Sequence, residues 1–308
     1  MTATPRPATA TSEAVFEEYR PLLLGLAYRL LGSMWDAEDA VQEAYVRWAA
    51  ADRTGIRVPR AFLVTVVSRL ALDQLRSARV TREAYTGPWL PEPVASDAFG
   101  PSGTAELRDS LAYATLHLME RLTPPERAVF VLREAFELPY DEIASIVGVT
   151  AANCRQLHSR AGRHLAADRE RFRPDPAAHS ELLGRFLAAA QQGDLAALTD
   201  LLSEDVVVWN DGGGKVRAAL RPVEGREAVL AFLTGLLARY GLGETRLVRV
   251  NDGSPAAWTR LDGSHQLVTL DIREDGLIHG IFAVLNPAKL TRVAPGRDQG
   301  APHAGGVP

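Results

Sequence analysis

The chain has 308 residues, enough for two or three domains, and its 46 % hydrophobic and 23 % charged fractions are those of an ordinary globular protein. No apolar run reaches the roughly 20 residues of a membrane span, the first residues lack the apolar centre of a secretory signal, and a single cysteine excludes an internal disulfide or a cysteine-cluster metal site; a cytoplasmic chain with no metal and no cofactor is expected. With 34 Lys+Arg against 38 Asp+Glu the net charge is −4, which excludes a strong free-standing electrostatic grip on a phosphate backbone.

Residues 1–11 are small, Pro- and Thr-rich and are expected to be disordered. Ser12 then caps a helix from Glu13 to Leu31, where Phe16, Tyr19, Leu23, Leu26 and Leu30 recur at helical spacing and Pro21 must kink or offset the first turns. A second helix is predicted from Asp36 to Ala50, with Asp36 as its cap and Glu38 and Asp39 placed against the positive end of its dipole. Its acidic edge continues through Gln42 and Glu43; taken alone it reads as a solvated first turn. Pro59 fits the first turn of a third helix with Phe62, Val66, Leu70 and Leu75 for the core and Arg60, Arg69, Asp73, Arg76 and Arg79 on or beside its other face. Residues 12–80 therefore close as one three-helix unit.

Residues 81–104 read as a Pro- and Gly-rich linker, yet Trp89-Leu90-Pro91-Glu92-Pro93 carries an aromatic that a passive spacer does not need, so Trp89 is expected to dock. A helix over 105–119 follows. Thr123-Pro124-Pro125-Glu126 is a capping box that opens the next one. From Tyr140 to Arg163 the pattern is two short helices about a tight turn, with Gly148 suited to a left-handed backbone and Thr150 as the second N-cap. Cys154 and Leu157 face inward, leaving Asn153, Arg155, Gln156, His158, Ser159, Arg160 and Arg163 over the remaining surface. Such side chains read base edges or phosphates, so a DNA-binding helix-turn-helix is favoured over an ordinary hairpin with a polar face. The second all-helical unit spans 105–172.

The order FEEYRPLLLGLAYRLLGSMWDAEDAVQEAYVRW, RAFLVTVVSRLALDQLRSAR and LTPPERAVFVLREAFELPYDEIASIVGVTAANCRQLHSRAGRHL resembles the two helical domains of an extracytoplasmic-function sigma factor. The resemblance implies promoter-specific transcription initiation with core RNA polymerase. It implies that Asp36, Asp39, Gln42 and Glu43 clamp the coiled coil of the β′ subunit, and that the third helix, with Arg60, Arg69, Asp73, Arg76 and Arg79, engages the downstream promoter element. It also removes the charge difficulty, because polymerase then supplies most of the affinity for DNA.

Beyond residue 177 the texture becomes α+β. An amphipathic helix, a short helix begun at Asp194 and a β-branched run Val206–Trp209 lead to Asp211-Gly212-Gly213-Gly214. Strands are predicted at KVRAAL, TRLVRV, AAWTRL, HQLVTLDIRE and LIHGIFAVL, with a helix Arg226–Tyr240 after the first, as a curved antiparallel sheet. This region, to residue 290, is similar to the SnoaL-like group of the nuclear transport factor 2-like fold, a cone-shaped sheet with a pocket. A fold of this kind names no activity by itself. An acid–base reading would draw on His265, Asp271 or His279 near Trp209 and Asp211, but spacing places no pair of them on one wall, and the chain is read as a non-enzyme.

Trp89-Leu90-Pro91-Glu92-Pro93, Asp211-Gly-Gly-Gly-Lys215 and Asn286-Pro287-Ala-Lys-Leu290 together resemble the sigma factors that carry a fused SnoaL-like extension, which implies regulation in cis. A Gly-rich loop lets backbone approach a partner closely, Lys215 offers a charge to an acid such as Glu92, and Trp89 offers an apolar anchor; a plain hairpin turn is the competing account of Asp-Gly. Residues 291–308 are expected to be disordered and the free protein monomeric, without membrane contact. Two alternatives stay open: a one-component helix-turn-helix regulator sensing a small ligand in the SnoaL-like pocket, and a SnoaL-type enzyme.

Overall fold

The computed structural model describes residues 12–96, 98–99, 113–166, 176–251, 253–261 and 263–293, the side chains of residues 53, 78–83, 166 and 176 excepted. The expected helix over 105–119 is therefore seen only from Tyr113, and its residues 105–112 lie outside the described residues, as do residues 1–11 and 294–308.

Three helices come first: α1 (Ser12–Leu31), α2 (Met34–Ala50) and α3 (Pro59–Glu83). Helix α1 runs through Pro21 unbroken and buries Leu23 to Leu31 nearly all round. The cap of α2 is Ser33, not Asp36: the Ser33 hydroxyl accepts from the Asp36 N–H, so the helix starts two residues earlier than predicted. Four helices follow: α4 (Tyr113–Met119), α5 (Pro124–Glu134), α6 (Tyr140–Val147) and α7 (Ala151–Ala166). The Glu126 carboxylate accepts from both the N–H and the hydroxyl of Thr123, at 3.0 and 2.7 Å. Gly148 turns the chain with φ 79°, and Thr150 accepts from the Asn153 N–H at 3.2 Å.

The two helical units share one core that runs from Phe16 of α1 to Leu165 of α7. Arg127 of α5 is buried in this junction, with Nε donating to the Arg29 carbonyl at 3.0 Å and Nη1 paired with Glu120 at 2.7 Å. Trp48 is core, its indole N–H donating to the Ser12 carbonyl.

The C-terminal unit opens with α8 (Pro176–Gln192) and α9 (Leu195–Leu201), the latter capped by Asp194. Then come β1 (Leu202–Asp211), β2 (Val223–Glu224), α10 (Arg226–Tyr240), β3 (Thr245–Val250), β4 (Ser254–Leu261), β5 (Ser264–Ile272), β6 (Ile278–Val284) and α11 (Pro287–Leu290). The strand order is β2-β1-β6-β5-β4-β3. The sheet is mixed where an antiparallel one was predicted, because β1 and β6 pair in parallel, Val208 opposite Ile281 and Asp211 opposite Val284. KVRAAL forms no strand. The Lys215 and Val216 N–H groups both return to the Gly212 carbonyl, and the edge of β1 is taken instead by Val223 and Glu224.

Alternation along the strands gives the sheet two apolar faces. Val206, Val208, Val268, Leu270, Ile281 and Ala283 pack under Leu183, Phe186 and Val229 of the helices. Trp209, Trp258, Leu267, Phe282 and Val284 form a second face, and it is covered by Leu90 of the linker and Tyr113 of α4. The sheet thus buries its second face against the linker and the helical half of the chain.

His179 of α8 has its Nε2 buried with no hydrogen-bond partner among the described residues, and burial pushes its pKa from 6.5 down to about 4. The folded state holds this imidazole neutral, so its contribution to stability is complete above pH 6.5 and is lost as pH falls through about 4. The melting temperature should therefore drop as pH is lowered across that window, and His179→Leu should flatten this part of the profile in thermal denaturation followed by tryptophan fluorescence.

Candidate functional site

The linker between the helical units is held at two polar junctions. The first is built on Asp211, the last residue of β1, which is fully buried. Its Oδ1 accepts from the Tyr85 hydroxyl at 2.5 Å, and its Oδ2 accepts from the Leu90 N–H at 2.9 Å and from Lys289 Nζ at 2.7 Å. Lys289 also donates to the Leu90 carbonyl at 2.5 Å and lies 3.2 Å from the centre of the Trp89 ring. Burial first, and then the bond to Asp211, raise the Tyr85 pKa far above the range of a free phenol, so Tyr85 stays a donor.

Local structure explains why these groups meet. Parallel pairing brings the end of β1 beside the end of β6, and the Asp211 carbonyl accepts from the N–H groups of both Leu285 and Asn286. Asn286 then caps α11 through Oδ1 and donates from Nδ2 to the Tyr85 hydroxyl at 2.9 Å, which aims Lys289 at Asp211. Gly213 and Gly214 both hold positive φ, 58° and 68°. A side chain at Gly213 would collide with the Asn286 amide and stand 2.8 Å from the Tyr85 hydroxyl. The glycines are there for close approach, as the Gly-rich loop suggested; a hairpin is not formed.

The second junction was not read from the sequence. The Glu92 carboxylate accepts from the Met34 N–H at 2.7 Å at the positive end of the α2 dipole, and the Glu92 N–H donates to the Gly32 carbonyl at 2.8 Å. The Tyr28 hydroxyl donates to the Glu92 carbonyl, and Asn251 Nδ2 donates to Tyr28 at 2.8 Å. Asn251 holds φ 58°, and its N–H donates to the Val94 carbonyl beside the bridge between Ala95 and Val250. Tyr113 closes the set by donating to the Pro91 carbonyl at 2.7 Å. Beside Glu92, an Asn in a turn between two strands is the sequence signal this junction leaves.

Trp89, Leu90, Pro91, Glu92, Asp211, Gly212, Gly213, Asn286 and Pro287 are thus gathered at or beside the linker. Lys215 is not. It lies exposed on the turn, and Glu92 is served instead by Met34 and by Arg292, whose Nε is 3.4 Å away. Burial raises the Glu92 pKa, against the Met34 N–H and the charge of Arg292. The predicted disorder from 291 also begins too early: Arg292 is engaged and Val293 is buried.

On α7, Arg155, Gln156, Ser159, Arg160 and Arg163 are exposed and Asn153 is half-buried at the first turn. His158 departs from them: Nε2 is 3.0 Å from Glu134, Nδ1 is 3.1 Å from the Tyr140 hydroxyl, and the ring stacks on Phe130. Arg155 lies over the Tyr140 ring at 5.4 Å. On α2, Asp39, Gln42 and Glu43 are exposed and Asp36 partly so. On α3, Arg60, Arg69, Asp73 and Arg76 are exposed, Arg76 pairing with Asp73 at 3.3 Å; the Arg79 side chain lies outside the described residues.

The acid–base candidates of the C-terminal unit do not converge. Asp211 is committed to Lys289, His279 pairs with Asp205 and Asp275, and His265 packs on Trp258. Asp271 meets Trp209 above Gly280, on the sheet face that the linker and α4 cover.

Removing one partner of a buried ion pair strands the other. Asp211→Ala should therefore cost about 3 kcal/mol and leave Lys289 against Trp89 without a counter-charge. Chemical denaturation should show the loss, and limited proteolysis should show the segment between Glu83 and Ala95 becoming accessible.

Family models match in the same order: Sigma-70 region 2 over residues 15–81, Sigma-70 region 4 over 113–165 and a SnoaL-like domain over 183–278. The chain is 42 % identical over 289 residues to the ECF RNA polymerase sigma factor SigJ of Mycobacterium tuberculosis, covering 90 % of this chain and 92 % of that protein. It is 35 % identical over 248 residues to the probable ECF RNA polymerase sigma factor SigI of the same organism, covering 73 % and 86 %. The crystal structure of M. tuberculosis SigJ superposes with a TM-score of 0.74 at 36 % identity, over 91 % of this chain and 98 % of that one. With this helix order, this helix-turn-helix and this C-terminal unit, the chain belongs to the extracytoplasmic-function sigma factors of RNA polymerase and directs promoter-specific transcription initiation.

Proposed function

We propose that the C-terminal unit regulates initiation in cis by holding the two promoter-reading units closed on each other. In this reading Asp36, Asp39, Gln42 and Glu43 dock on the β′ coiled coil of core polymerase. Arg60, Arg69, Asp73, Arg76 and Arg79 engage the downstream element, and Asn153, Arg155, Gln156, His158, Ser159, Arg160 and Arg163 serve the upstream one. His158 acts there by setting the helix against Glu134 and Tyr140.

The observation that carries the closed reading is the contact of Arg69 with the other reader. Its guanidinium donates to the Ser145 carbonyl of α6 at 2.8 Å, and α3 packs on α5 and α6 through one continuous core. A promoter with two separated elements requires the two units to part, and a cation that reads the downstream element cannot do so while bound to the helix-turn-helix. The linker that must lengthen on opening is the segment tied down by Asp211, Lys289 and Asn251.

Cysteines placed by Arg69→Cys and Ser145→Cys and joined by a short bismaleimide should give far less run-off transcription with core polymerase than the same variant left uncrosslinked, whose own level is the reference because it already lacks the Arg69 guanidinium; equal initiation by the crosslinked and uncrosslinked forms would overturn the closed reading. Arg155→Ala or Arg160→Ala should weaken use of the upstream element by about 1–3 kcal/mol and leave polymerase binding intact, as measured by transcription from promoters altered in that element and by polymerase pull-down.

A second reading, in which a small ligand tunes the C-terminal unit, draws support from Asn210. This residue is buried on the helix-covered sheet face, and its Nδ2 finds no partner among the described residues. A metabolite thermal-shift screen whose hits vanish in Asn210→Leu would establish it, and a screen without such hits would dismiss it.

A further inference from the structure

The segment that follows α11 reaches the helix on which polymerase docking is placed. Arg292 forms a two-pronged pair with Glu38, Nη1 to Oε1 at 2.9 Å and Nη2 to Oε2 at 2.5 Å. Its Nε lies 3.4 Å from Glu92, and its guanidinium lies 5.0 Å from the centre of the Trp35 ring. The residue is held in place from both sides, since Leu290 and Val293 are buried in the cluster that contains Leu90.

Glu38 is not an isolated surface acid. Trp35, Glu38 or Asp39, and Gln42 follow one another at three- and four-residue spacing, so they lie on one face of α2. Trp35 is 56 % exposed, a large ring at the open end of that face. The face is acidic and its partner must bring cations. Arg292 already supplies one, over an aromatic ring and in the fork geometry in which a guanidinium meets a carboxylate best.

We infer that Arg292 is a built-in competitor for the basic partner of α2, so that docking of core polymerase on this face and closure of the segment Asn286–Val293 exclude each other. The inference rests on the polymerase-docking reading of α2 given above. Its consequence reaches the linker. Arg292 and Lys289 are three residues apart, so a partner that takes Glu38 from Arg292 also loosens the anchor of Lys289 on Asp211 and Leu90. Polymerase binding and linker release are thereby one coupled event.

The test is binding of the labelled full chain to core polymerase, followed by fluorescence anisotropy. Arg292→Ala should bind about three- to tenfold tighter than the unaltered chain, a gain that shrinks with added salt, and Arg292→Lys, which cannot make the two-pronged contact, should lie between. Asp39→Ala with Gln42→Ala should bind more weakly. If that double variant weakens binding and Arg292→Ala does not strengthen it, the competitor is wrong and the docking face stands. If the double variant binds unchanged, the docking face fails and the inference fails with it. Hydrogen exchange of the unaltered chain gives an independent reading: the amides of 286–293 should lose protection when polymerase is added, and retained protection in the complex would overturn the inference.

Discussion

The arrangement of the whole chain depends on one buried carboxylate. Asp211 has no contact with water, and a charge so placed costs several kcal/mol unless its partners are present in full. Those partners come from separate parts of the chain: Tyr85 and the Leu90 N–H from the linker, and Lys289 from the C-terminal helix. None can leave without stranding the others. Lys289 has the same constraint in reverse, since its ammonium is satisfied by Asp211, the Leu90 carbonyl and the face of Trp89. A loop that would otherwise be a spacer therefore becomes a structural element fixed to the sheet.

The fixed linker transmits order to the helical half. Glu92 follows Leu90 by two residues and sits on the N-terminus of α2, so the same short segment meets the sheet on one side and the first helical unit on the other. Apolar packing runs parallel to this polar chain. Leu90 and Tyr113 cover the ring face of Trp209, Phe282 and Trp258, a surface that an isolated SnoaL-like unit would leave to water. The apolar contact between the halves is non-directional, whereas the polar junctions are directional.

The contacts that the proposed opening must break differ in how exposed they are. Asp211 and Lys289 are buried, whereas Arg292 and Glu38 are partly open to solvent. The outer pair is the weaker and the more sensitive to salt, so a partner approaching α2 meets the easiest contact first. In the proposed opening, parting the two helical units further requires breaking the core that α3 shares with α5 and α6.

Much of the fold was legible in the residues. Helical periodicity, the Thr123 box, the Gly148 turn and the Thr150 cap are local signals, and each acts within a few residues of itself. The glycines after Asp211 announced a close approach, because only backbone could fit where Tyr85 and Asn286 now stand. What could not be read was the identity of the partner. Lys215 and Lys289 are the only lysines, and local sequence offered Lys215, beside the Asp-Gly loop, as the charge for Glu92. Only the parallel pairing of β1 with β6 puts Lys289, 78 residues on, against Asp211. The same holds for the Asn251 to Tyr28 bond across 223 residues and the Arg292 to Glu38 pair across 254. Sequence by itself determined most of the helices, the family and the loop built for contact, because short-range sterics and hydrogen bonding specify them, while the edge strand Val223–Glu224 and the parallel pairing escaped it. Tertiary structure alone decided which charges meet, because that depends on strand order and on which face of the sheet is left to be covered.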